Sequence, residues 1–73
     1  MINVKRGDLI TLKALETGTK GYQSFPGEYG HHIAVWVKPG IGIILEVREE
    51  FVHALLNGGM VLWFDCYKVN VIK

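Results

Sequence analysis

The triplet Asn57-Gly58-Gly59 constrains this chain more than any other stretch, because it stands between two apolar runs, Phe51–Leu56 and Met60–Phe64. Asn-Gly readily supplies the positive φ angles of a tight hairpin turn, so these runs are expected to pair as antiparallel strands. Two registers are open. A two-residue loop pairs Leu56 with Gly59 and Val52 with Trp63; a three-residue loop with a glycine bulge pairs Leu56 with Met60 and Val52 with Phe64. The first gathers Val52, Ala54, Leu56, Val61 and Trp63 on one face, opposite Phe51, Leu55, Met60, Leu62 and Phe64. The second exchanges the faces of the second strand, and still leaves Leu55, Val61 and Trp63 opposite the core. Either way the hairpin is apolar on both sides, whereas a solvated antiparallel hairpin shows one polar face. Its second face therefore needs a cover: the loop of the N-terminal half, another copy of the chain, or a partner.

The flanking sequence extends this hairpin into a meander. Pro39-Gly40 marks a reversal, and Ile41–Val47 follows with Ile41, Ile43, Leu45 and Val47 on one face and Gly42, Ile44 and Glu46 on the other. Gly42 inside a strand signals a bulge, a bend or the close approach of another backbone. Arg48-Glu49-Glu50 reads as a charged turn, Asp65–Lys68 as a short turn or single 3₁₀ turn, and Val69–Ile72 as a last strand. Upstream, Asp8–Lys13 and His31–Val37 alternate as strands should. Between them, Thr17–Gly30 holds four glycines, a proline and small polar residues, the composition of a loop, yet carries Tyr22, Phe25 and Tyr29. Ala14–Glu16 has room for one helical turn at most. No segment sustains a period of 3.6, so the expectation is an all-β fold.

A chain of 73 residues makes one domain, spanning 1–73, and a core this small leaves apolar surface over when 49% of the residues are hydrophobic. Self-association or a protein partner would cover the surplus. The single cysteine, Cys66, excludes an intramolecular disulfide and fits a reducing compartment. Eight basic residues against seven acidic ones, a net charge of +1, give no global attraction to nucleic acid or to a membrane. The N-terminus lacks the apolar core of a signal peptide, and no run approaches the length of a spanning helix. A soluble cytoplasmic protein is expected, with no membrane association.

Strand, long loop, three meander strands, 3₁₀-like crossover and final strand is the order of an SH3-like barrel. More narrowly, the Gly7-Asp8-Leu9 start, Gly42–Val47, Asn57-Gly58-Gly59, Trp63 and Val69–Ile72 resemble small SH3-like proteins of tailed phages, of the cyanophage type. The resemblance covers Gly7–Lys13 and Pro39–Ile72. It implies a small barrel of five to six short antiparallel strands with a long loop after the first, and a phage source. The host cytoplasm would then be the location, with the virion as the other one such a source allows. It implies no activity.

Residues with chemical potential do not assemble into a catalytic pattern. His31 and His32 are adjacent, so in a strand they point to opposite faces and cannot readily share an ion. No Cys-x-x-Cys or His-x-x-x-His spacing exists. Gly7–Ile10 followed by His32–Val37 is also similar to fragments of papain-like cell-wall peptidases, but Cys66 sits in a meander with no helix N-terminus to activate it. Asp65 and Glu46 are lone carboxylates without an acid/base partner. Hence no catalytic residue, metal ligand or cofactor is assigned. The expected function is a non-enzymatic module working by protein–protein contact, including self-association, through Tyr22, Phe25, Tyr29, Trp36, Leu55 and Trp63. The alternative is a nucleic-acid-binding barrel that stacks bases on Trp36 and Trp63 beside Lys and Arg residues. More remote is a hydrolase-like enzyme built on Cys66 and a histidine.

Overall fold

The computed structural model describes residues 3–13, 18–26 and 33–72. Among the described residues, seven strands form one antiparallel sheet curled into a half-barrel: β1 (Leu9–Leu12), β2 (Thr19–Tyr22), β3 (Ala34–Val37), β4 (Ile41–Arg48), β5 (Phe51–Leu56), β6 (Val61–Asp65) and β7 (Val69–Val71). Their spatial order is β3-β2-β6-β5-β4-β1-β7, which leaves β3 and β7 as the two edges. A 3₁₀ turn, Cys66–Lys68, links β6 to β7. Among the described residues, no helix is long and apolar enough to cross a membrane. Ala14–Glu16, Tyr29, His31 and His32 lie outside the described residues.

The hairpin adopts the three-residue loop. Val52 faces Phe64, Leu56 N–H donates to the Met60 carbonyl at 2.7 Å, and Gly59 N–H donates to the Leu56 carbonyl at 2.9 Å. Gly58 and Gly59 sit at φ +111° and +91°, which any residue with a Cβ adopts at a cost. This register sends Val52, Ala54, Leu56, Leu62 and Phe64 inward, to join Ile10, Leu12, Ile44 and Val69 in the core. Phe64 is fully buried; removing such a side chain from water stabilises the fold by about 2–3 kcal/mol.

The sequence expectation needs two corrections. First, there are seven strands rather than five to six, because the supposed loop Thr17–Gly30 contains β2, which pairs with β3 over its whole length. The glycine that suggested a turn, Gly21, is there for closeness: a Cβ on it would lie 2.8 Å from Phe64 Cε1 and 3.1 Å from Leu62 Cδ1. Second, β4 does not keep a single alternation. Its pairing with β5 shifts between Ile44 and Glu46, a bulge at Leu45. Beyond the bulge Val47 turns inward opposite Val52 and packs against the core, while Glu46 and Arg48 pass to the outer face. Gly42 marks a close approach instead, its absent Cβ leaving room 3.0 Å from the Leu55 carbonyl oxygen.

Candidate functional site

The outer face of the sheet carries the side chains that the core does not use, and it divides into a covered half and an open half. Over the covered half lies Phe25, from the segment after β2, with 7% of its surface exposed. Its ring meets Trp63 edge-on at 5.0 Å between centroids and Phe51 at 5.5 Å. Beneath it, His53 stacks on Trp63 at 4.3 Å, with the ring planes within 5°. The bulge delivers the fifth member: the Arg48 guanidinium carbon lies 4.8 Å from the Phe25 ring centroid and 5.2 Å from that of Trp63. Glu46 holds it there, accepting from Arg48 Nη2 at 2.9 Å and from Nε at 3.0 Å. Such a cation over two aromatic faces, with edge-to-face rings below, is a packed outer layer that closes part of the hairpin's second face.

Burial lowers the pKa of His53, and the Arg48 charge acts in the same direction while Glu46 opposes both. The neutral imidazole is thus favoured against the indole.

The open half is a row. Leu9 faces Ile43 across β1 and β4, Ile43 faces Leu55 across β4 and β5, and Leu55 faces Val61 across β5 and β6. Leu9 is 52% exposed, Leu55 36% and Val61 38%, and Ile41, also 52% exposed, extends the row at its β4 end. At the usual strand spacing these four side chains span roughly 15 Å. A shallow depression is lined by Leu9, Ile41, Ile43 and Leu55, together with Gly42, Leu56 and Asn57.

The sequence-derived surface residues therefore separate. Phe25 and Trp63 (5% exposed) are packed against each other, so Trp63 offers no exposed platform. Tyr22 pairs across β2 and β6 with Trp63, with the Lys20 ammonium 5.5 Å from its ring centroid. Leu55 lies in the open row. Trp36, 58% exposed, stands apart on the edge strand β3, opposite Lys20. Arg48, Glu46 and His53, which complete the aromatic layer, were not legible as partners, since only the bulge places them together.

Among the described residues, no acid/base or nucleophile arrangement forms on this face. Cys66 packs against the inner core while His53 lies outside, so the two do not meet. Asp65 pairs with Lys68 at 3.2 Å, and the same ammonium reaches the Lys20 carbonyl at 3.4 Å, tying the 3₁₀ turn to β2. Among the described residues, no three His, Cys, Asp or Glu side chains gather as metal ligands. A groove of about 410 Å³ between Trp36–Ile41 and the Leu56–Met60 turn is lined by apolar residues with Lys38 and Asn57. Among the described residues that line it, there is no carboxylate or thiol. Comparison with family models, with curated proteins and with solved structures finds no match to this chain.

Proposed function

We propose that this protein is a non-enzymatic interaction module, an SH3-like barrel of phage origin that works through protein–protein contact and assembles with copies of itself. The observation that carries this reading is the apolar row Leu9–Ile43–Leu55–Val61 on the outer face, with Leu9, Leu55, Val61 and the neighbouring Ile41 exposed and Ile43 half-buried between them. A patch of this kind in so small a domain is stabilised by docking against another apolar surface. The row's residues lie in strands already paired with one another, so docking on them orders little. The strand sequence β7-β1-β4-β5-β6 with a 3₁₀ turn before the last strand supports the SH3-like reading. The phage source rests on the resemblance of Gly7–Lys13 and Pro39–Ile72 alone.

The nucleic-acid alternative has less support. Trp63 is taken up by packing, leaving Trp36 beside Lys20 as its remaining element. Light scattering after size-exclusion chromatography tests the proposal. The wild-type chain is expected at a multiple of 8.2 kDa, and Leu55→Glu is expected to lower the number of copies per particle with an unchanged circular-dichroism spectrum. A wild-type monomer at micromolar concentration would count against self-association.

A further inference from the structure

Strand β3 is one edge of the sheet, and its register shows which of its backbone groups are spare. In an antiparallel ladder, hydrogen-bonded and non-hydrogen-bonded pairs alternate. Gln23 N–H donates to the Ile33 carbonyl at 3.0 Å, so that pair is bonded. Stepping by two residues, Gly21–Val35 and Thr19–Val37 are bonded as well, while Tyr22–Ala34 and Lys20–Trp36 are the alternate pairs. The N–H and C=O groups of Ala34 and Trp36 therefore point away from β2, toward the open edge. The Lys20 carbonyl agrees with this parity: it turns away from β3 and accepts from the Lys68 ammonium.

Soluble proteins guard such edges with charge, proline or a bulge. Here Ala34-Val35-Trp36-Val37 carries none of these, its register with β2 is unbroken, and Lys38 and Pro39 come only after the strand has ended.

We infer that β3 pairs antiparallel with β3 of a second copy, about a two-fold axis through Val35. That axis sets Ala34 opposite Trp36 of the other chain, so each spare N–H and C=O of both residues gains a partner. The side chains are self-complementary in the same register. The exposed Trp36 indole lies beside the small, exposed Ala34 of the second copy, and the half-buried Val35 side chains meet on the inner side. Without charge on the strand, identical copies do not repel. This interface is isologous, uses main-chain bonds and is separate from the apolar row.

Trp36→Pro tests it, because proline removes a backbone donor that faces away from β2, together with the indole that packs beside Ala34 of the second copy, and is tolerated on an edge strand. Measured by light scattering, Trp36→Pro is expected to lower the copy number independently of Leu55→Glu, and the double variant to run as a single chain. If Trp36→Pro leaves the assembly unchanged while Leu55→Glu reduces it, edge pairing is overturned and the apolar row stands. If only Trp36→Pro reduces it, edge pairing stands and the row does not. A monomeric wild type overturns both. Amide exchange on the unmodified protein removes any dependence on a variant's folding. The Ala34 and Trp36 amides, which have no acceptor in β2, should exchange more slowly as concentration rises; fast exchange at every concentration sinks the inference.

Discussion

His53 and Trp63 face each other across β5 and β6 with their rings stacked 4.3 Å apart, and this pair is the hinge between the two halves of the outer face. On one side Phe25 and Arg48 roof the indole; on the other, Leu55 and Val61 begin the open row. Glu46, set opposite His53 by the bulge, anchors the arginine and feels the imidazole.

The stacked imidazole makes stability depend on pH. Burial, aided by Arg48, lowers the His53 pKa below its ordinary value of 6.5, so between the folded and the ordinary value the unfolded chain binds more protons. The stability due to neutral His53 is thus fully present above pH 6.5 and is lost as the pH falls through the folded value. Urea midpoints taken across this range should fall on acidification, and His53→Gln should flatten that fall. An equal fall in the variant would show that other groups carry it.

Removing the roof should loosen the hairpin. Phe25→Ala deletes two edge-to-face contacts and the surface on which Arg48 rests. The expected loss is about 2–3 kcal/mol, below that of a deep core phenylalanine because the site borders solvent. Urea unfolding measures the loss, and a red shift in tryptophan emission would report the uncovering of Trp63.

Gly21→Ala should destabilise even though alanine is the better strand former of the two. Its Cβ would meet Phe64 Cε1 at 2.8 Å and Cζ at 3.0 Å, and the buried Phe64 ring has little room to yield. A cost of about 1–3 kcal/mol is expected from overpacking. An unchanged thermal midpoint would mean that β2 shifts away from β6 without penalty.

A stabilising change is available at the β4–β5 turn. Glu49 holds φ +55°, a left-handed conformation that costs a residue with a Cβ roughly 1–2 kcal/mol. Glu49→Gly relieves this strain and loosens the unfolded chain, so the net gain should be about 0.5–1 kcal/mol in urea unfolding. A loss of stability would indicate that the Glu49 side chain contributes contacts of its own.

Much of the inner architecture was legible in the chain. Asn57-Gly58-Gly59 announced the hairpin, and period-two alternation grouped Val52, Ala54 and Leu56 on one face whichever register formed, the face that the core takes up. The loop composition of Thr17–Gly30 concealed β2, because Gly21 resembles a turn residue when its neighbour Phe64 is not in view. The bulge at Leu45 was equally hidden, since Leu45 continues the apolar alternation without a break.

What the sequence by itself determined is that the Phe51–Phe64 hairpin has an apolar second face in need of a cover, since both registers lead there. Tertiary structure decided how far the chain supplies that cover. Phe25, 23 to 38 residues from its partners along the chain, closes one half together with an arginine turned outward by the bulge, and leaves Leu9, Leu55 and Val61 exposed with Ile43 half-buried between them. The physical reason is one of range. Alternation and turn chemistry are set by residues next to one another, while cover depends on which distant side chains the curl of the sheet brings across.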